Sequence, residues 1–302
     1  MDERDRQLIL EQRRSERRAA KQAKLKANDL TQNAEKANLT SVTLEPSSGA
    51  GPKGANRLAF GGPDEPMLFV GHHKCASSLS SRYVKKFCEV NNLSFFGNGK
   101  GNTVPSGRHD VSFLGNASYP FLAERINGGG VHIIRNPLNV VQSAYYSHLR
   151  LHHTVGLSIL AAQRRILEQC SGDEGMALTV AFCERSDFYP ATPGPLCALR
   201  QWNFEDDHFK TVRMEDFGNQ INHVFAGAIG AKAANYIWPE PHDFTFQAMS
   251  GGRDPGVIDE NSPYRSGHPD AWRSELPKAV ITYIRIHYQP LLERFYPEAL
   301  LD

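Results

Sequence analysis

No apolar run in this sequence comes near the roughly 20 residues that a membrane-spanning helix needs. Its first residues are charged throughout and lack the apolar core of a secretory signal. Cysteine is sparse: five among 302 residues (Cys75, Cys88, Cys170, Cys183 and Cys197), scattered and with no CxxC pair. That spacing suggests neither a zinc site nor a disulfide framework, so reduced thiols are the expectation. Net charge is nearly absent, +1 at pH 7, and no global field favours nucleic acid over small ligands. No internal repeat and no acidic Mg²⁺-ligand motif stands out. What remains is a chain long enough for one large α/β domain or two small ones.

The composition divides the chain near residue 60. Residues 1 to about 28 are rich in Arg, Lys, Glu, Gln and Ala, which favours helix. The apolar stripe there is thin (Leu8, Ile9, Leu10), and a basic, solvated helical or disordered arm is the reading. Residues 29 to about 62 carry the Asn, Ser, Thr, Pro and Gly of a linker. The expected organisation is an arm and linker over 1–60 and a folded domain over 61–302.

The most informative stretch is VHIIRNPLNVVQSAYYSHLR, residues 131–150. Val131 to Ile134 is too short for a helix and right for a buried strand. Arg135 stands where that strand ends, Asn136-Pro137 marks a turn, and Pro137 suits the first helical position. Val140, Val141, Ala144 and Tyr145 then recur at helical spacing, predicting a helix to about Arg150. Arg135 at the strand end and Ser143, about two turns into the helix, can grip one anion from two sides in the crevice where open α/β sheets bind ligands. Taken alone, the same residues also fit a surface arginine and a small packing serine.

Met67 to Val70 is a second short strand, followed by GHHKCASSLSSRYVKKFCEV. Leu79, Tyr83 and Phe87 recur at four-residue spacing, as on one helix face. Strand, tight loop and helix together turn backbone N–H groups and a helix N-terminus toward a phosphate. Lys74 supplies a point charge, and Ser77 and Ser78 supply hydroxyl donors. The second Gly and the Lys-Ser/Thr pair of a Walker A loop are missing.

These segments resemble those of sulfotransferases that use 3'-phosphoadenosine 5'-phosphosulfate (PAPS). Residues 135–148, R-N-P-x-x-V-x-x-S-x-Y-Y-x-H, look like that family's 3'-phosphate segment, in which the matching arginine and serine hold the donor's 3'-phosphate. Residues 73–80, H-K-C-A-S-S-L-S, look like its 5'-phosphosulfate loop, usually P-K-S-G-T-T-W-L. The resemblance assigns donor binding to Lys74, Cys75, Ala76, Ser77, Ser78 and Leu79. His73 replaces the proline, Ala76 the glycine, and Leu79 a tryptophan that usually stacks on adenine. Residues 265–273 resemble the C-terminal donor loop R-K-G-x-x-G-D-W-K, so that Arg265, Ser266 and the Gly267 backbone would clamp the 3'-phosphate from the other side. Ser266 there replaces a lysine. Residues 209–217, FKTVRMEDF, look like V-R-Y-E-D-L, a core strand ending near the adenine. Val212 and Met214 there read as packing, and Glu215 and Asp216 as caps of the next helix.

The resemblance spans about residues 67–295 and implies a P-loop-type, three-layer α/β/α fold with a central, mainly parallel sheet. It implies in-line sulfuryl transfer from PAPS to a hydroxyl or amine of a carbohydrate or small-molecule acceptor, with 3',5'-ADP as product and no metal. It also implies Lys74 as stabiliser of the leaving group, and His109 as general base, since the family carries a histidine at a similar interval before its Arg-Asn pair. An imidazole near its natural pKa suits that task. His72, His73, His148 and Glu89 compete for the role, and His132 reads as a core residue. Trp272 reads as a buried anchor, and residues 276–296 as one closing amphipathic helix. Without a membrane anchor, a soluble cytoplasmic enzyme is the expectation. Two alternatives stand beside it: a P-loop phosphotransferase, and a non-catalytic nucleotide-binding protein of the same fold.

Overall fold

The structure, a computed structural model, describes residues 58–301 apart from 63, 100–101, 106 and 189–191. The basic arm and nearly all of the linker lie outside the described residues, as does part of the turn before Pro195. The described residues fall in one unit, Ala55–Asp302. Leu58–Phe60, assigned to the linker by composition, form strand β1 and pair in parallel with β5 (Ile126–Gly128).

The central sheet is built from β2 (Met67–Gly71), β3 (Phe95–Asn98), β4 (Val111–Gly115), β6 (Gly130–Ile134) and β7 (Phe209–Arg213). Its order is β3-β4-β2-β6-β7, and every pairing is parallel. The fold is therefore α/β with a parallel central sheet, as the resemblance implies. Parallel strands covered on both faces are apolar along their whole length, and all of β2 and β4 is buried. Successive side chains of β2 go to opposite faces. Met67 and Phe69 join Tyr83, Phe87 and Phe225 in one core, while Leu68 and Val70 join Leu122, Trp202 and Phe209 in another.

The crossover helices are α1 (Ser77–Val90), α2 (Tyr119–Arg125), α3 (Pro137–Tyr146), α4 (Ser158–Leu167), α5 (Gly172–Cys183), α6 (Pro195–Gln201) and α7 (Ile221–Ile229). The short α8 (Phe246–Ser250) and α9 (Trp272–Glu275) flank a long loop. Trp272 is the buried anchor its size suggests, 1% exposed. The closing segment is two helices rather than one, α10 (Lys278–His287) and α11 (Gln289–Phe295). Pro290 sits in the first turn of α11, because its ring cannot follow an unbroken helix. Val280, Ile284 and Leu291 from this pair pack with Leu138 and Val141 of α3 in a third core. Among the described residues, no helix is long and apolar enough to cross a membrane.

Candidate functional site

In a parallel sheet every strand points the same way, so the loops that follow the strands gather along one edge. β2 and β6 are neighbours, with Gly71 opposite Ile133. The loop after β2 (72–76) and the turn after β6 (135–136) are therefore side by side. They are joined directly: Arg135 Nη1 donates to the backbone carbonyl of Lys74 at 3.0 Å. Among the described residues nothing accepts from the buried Nε of Arg135.

The loop is tight. Cys75 N–H donates to the His72 carbonyl at 3.1 Å, and both Lys74 and Ala76 adopt left-handed backbone, with φ of 64° and 53°. Ala76 stands where the resembled loop has glycine, and the chain takes the glycine-like conformation there in spite of the Cβ. Ala76 is also the N-cap of α1, and no side chain caps that end among the described residues. The first N–H groups of a long helix thus open beside Lys74, with Ser77 and Ser78 in the first turn. Burial of Lys74, with Arg135 next to it, lowers its ammonium pKa to about 8. Burial raises the Cys75 thiol to about 12, so it is neutral packing and not a nucleophile.

The turn after β6 forms as its sequence suggests. Asn136 caps α3, its side chain accepting from Leu138 N–H at 3.0 Å, and Pro137 takes the first turn. The helix stays α to Tyr146 and then widens into a π turn over Ser147–Leu151. Glu215 corrects the expectation that it caps the next helix. It lies in a separate 3₁₀ turn, where it accepts from Asn136 N–H at 3.0 Å and from the Tyr296 hydroxyl at 3.1 Å. It thereby ties the end of β7 to the Arg135 turn, and its charge supports the Arg135 cation against the cost of burial.

The C-terminal loop docks on α3. Asn139 Nδ2 donates to the Pro269 carbonyl at 2.8 Å, and Arg265 lies over the Tyr146 ring, 4.0 Å from its centroid. Tyr146 follows Ser143 by three residues, so Arg265 and part-exposed Ser143 share a helix face. Arg265 is also ion-paired to Glu275 of α9, a partner the motif did not indicate. Gly267 has φ of 63°, and a Cβ there would stand 2.4 Å from the Phe246 ring, so glycine is required. The Ser266 carbonyl accepts from Gly256 N–H at 2.6 Å. Arg253 folds the loop from within, donating to the carbonyls of Val257 and Arg265 at 2.9 Å each.

The structure does not bring His109 to this edge. It precedes β4, whose first residue pairs with Met67 at the start of β2, and Asp110 accepts from Met67 N–H. The length of β2, about 3.3 Å per residue, separates it from the loop at the other end. There it lies tilted against Phe96, ring centroids 5.5 Å apart. Glu89 is also misplaced for a base: it is exposed in the last turn of α1, paired with Lys86. Asp206, Asp207 and His208 stand close enough together to ligate an ion, but at the start of β7, again the far edge from Lys74.

The competing His72, His73 and His148 gather instead at the loop edge, with His132, the core residue expected, and His152, which the sequence reading missed. His72 Nε2 lies 2.7 Å from His132 Nε2, with His132 stacked on Trp202 at 3.5 Å; both rings are fully buried. His73, pointing the other way, has Nε2 at 2.9 Å from His148 Nε2. His152 stands 5.1 Å from the His73 ring. For His152 the adjacent HH pair at 152–153, like that at 72–73, was the sequence signal.

No family model matches the chain, and no curated protein matches it in sequence. Among solved structures it is similar to a mouse sulfotransferase, SULT7A1 complexed with PAP, with a TM-score of 0.47 and 10% identity, over 75% of this chain and 84% of that one.

Proposed function

We propose that this protein moves a sulfuryl group from PAPS to a hydroxyl or amine of a carbohydrate or small-molecule acceptor. The reading is carried by the hydrogen bond from Arg135 to the Lys74 carbonyl, which joins two phosphate-type segments in one cradle. Each segment has the residue types a doubly phosphorylated nucleotide needs. Lys74, the uncapped start of α1, Ser77 and Ser78 face the 5'-phosphosulfate. Arg135, Ser143, Arg265 and the Gly267 backbone serve the 3'-phosphate, where the arginine fork matches phosphate geometry.

The acceptor oxygen attacks sulfur in line as the bridging S–O bond breaks. Negative charge then grows on the 5'-phosphate oxygen of the departing 3',5'-ADP, and Lys74 stabilises it. Preorganised stabilisation of developing charge is usually the largest catalytic contribution. With its pKa near 8, Lys74 is mostly charged at neutral pH. The anion itself strengthens that state.

Calorimetric titration with 3',5'-ADP tests the reading, with Arg135→Ala beside the intact chain. The expected result is one-site binding that weakens about 10- to 100-fold in the variant, the worth of a charged hydrogen bond. Absence of binding by the intact protein overturns it.

A further inference from the structure

Resting on that reading, the remaining question is what holds Arg265 and Gly267 where a 3'-phosphate would meet them. Both sit between α8 and α9, in a stretch of 21 residues (251–271) with no helix or strand of its own. Backbone outside such elements finds hydrogen-bond partners elsewhere or stays loose. Arg253, next to Gly251 and Gly252, has the look of one more phosphate arginine beside Arg135 and Arg265. Its contacts give it a different task.

The chain reaches Arg253 by a fixed route. Thr245 caps α8, its hydroxyl accepting from Ala248 N–H at 3.3 Å, and Gly251 and Gly252 turn the chain with φ of 79° and 94°. Gly252 N–H donates to the Gln247 carbonyl at 2.7 Å, and Gln247 Nε2 donates to Asp254 Oδ1 at 2.6 Å. From that base Arg253 Nη1 donates to the carbonyls of Val257 and Arg265, and Nη2 donates to the carbonyl of Tyr264. Asp259 N–H adds a second bond to the Arg265 carbonyl, at 2.9 Å. The Arg253 guanidinium also lies over the Phe246 ring, 5.5 Å from its centroid. That ring occupies the space beside Gly267 that a Cβ would take. One cation therefore holds the backbone of Arg265 directly and braces that of Gly267 through Phe246.

We propose that Arg253 is a positioning residue for the loop half of the 3'-phosphate clamp. It acts through Arg265 and Gly267, since both of its Nη groups are turned onto loop carbonyls. By fixing the Arg265 backbone it sets where that side chain leaves the loop to cross Tyr146 and reach Glu275. Lysine cannot do the same: a guanidinium is a planar fork that serves three carbonyls at once, whereas an ammonium is a point charge on a flexible stem. The bonds exist before any nucleotide arrives, so ordering the loop takes nothing from the affinity. Loss of Arg253 weakens the 3'-phosphate contacts and leaves the 5' side of the site, built by the loop after β2, as it is.

The test is calorimetric titration of the intact chain, Arg253→Lys, Arg253→Ala and Arg265→Ala with 3',5'-ADP and with 5'-AMP, which lacks the 3'-phosphate. The intact chain should prefer 3',5'-ADP by about 100-fold or more, the worth of two charged contacts. In both Arg253 variants that preference should fall about 10-fold, toward that of Arg265→Ala, with 5'-AMP affinity unchanged. Arg253→Lys keeps the charge, so a fall there reports the lost fork and not a weaker long-range attraction. A merely structural role would weaken both nucleotides alike, and that result overturns the proposal. So does a preference kept in full by either Arg253 variant, or an intact chain that binds the two nucleotides equally. Failure of the intact chain to bind 3',5'-ADP is a separate outcome: it removes sulfuryl transfer itself, and this role of Arg253 with it.

Discussion

At one edge of the central sheet, Lys74, Arg135 and a group of histidines stand among helix starts and left-handed backbone. At the other edge, His109, Asp110 and the Asp206–His208 cluster offer similar side chains, but they are occupied with local bonds. Asp110 accepts from Ser94 N–H at 2.7 Å and from the Ser94 hydroxyl at 2.6 Å, and His208 pairs with Asp206 at 2.8 Å. The difference is directional. Each crossover helix of a parallel sheet begins after a strand's C-terminal end, so positive helix ends converge on one edge only. The same side-chain types thus stand at a candidate ligand site at one edge and serve as packing partners at the other.

The sharpest way to break this comparison is Lys74→Ala. If the loop edge stabilises a leaving group, turnover should fall about 10²- to 10³-fold, as when one preorganised donor is removed. In the intact chain, 3',5'-ADP affinity should decline as pH rises through about 8, where Lys74 loses its proton. Affinity that stays level to pH 9.5 would take Lys74 out of the site.

Next in size is an acid effect from the buried His72–His132 pair. The two Nε2 atoms share one proton at 2.7 Å, and a second would set N–H against N–H. Burial lowers the His72 pKa to about 4, below the usual 6.5 of an unfolded chain. The stabilisation is therefore complete above pH 6.5 and is lost as pH falls toward 4. His72 alone should cost about 3 kcal/mol by pH 4. Thermal unfolding followed from pH 7.5 to 4 checks this, and a melting temperature unchanged across that range contradicts it.

The smallest effect is at Ala76. An L-residue in left-handed backbone costs about 1–2 kcal/mol, and glycine gives back part of that through the freedom of the unfolded chain. Ala76→Gly should stabilise by about 0.5–1 kcal/mol in urea unfolding. A destabilised variant would mean that the loop does not hold this conformation.

Much of the frame was legible from local pattern. Short apolar runs located β2 and β6, helical spacing located α1 and α3, and Asn136-Pro137 marked a turn that forms as written. The glycine-like turn at Ala76 was harder to read, since the residue type argues against the backbone it adopts. Glu215 looked like a cap because the nearest helix start follows it, yet its partners Asn136 and Tyr296 are distant in sequence. The Glu275 partner of Arg265 and the bond from Arg164 to the His152 carbonyl likewise involve side chains that no spacing rule pairs.

The sequence by itself determined the strand–loop–helix segments around Lys74 and Arg135, because a short apolar run suits a buried strand and recurrence every three or four residues suits a helix face. It also determined which loops carry phosphate-type residues, since Lys, Arg, Ser and Gly at a strand–helix junction need only local geometry. Tertiary structure alone decided which edge each residue reaches. His109 stands before its strand and Lys74 after its own, and parallel pairing sends them to opposite ends of the sheet. Only that pairing sets His72 on His132, and only the fastening of the π turn brings His152 to the His73 ring beside Lys74.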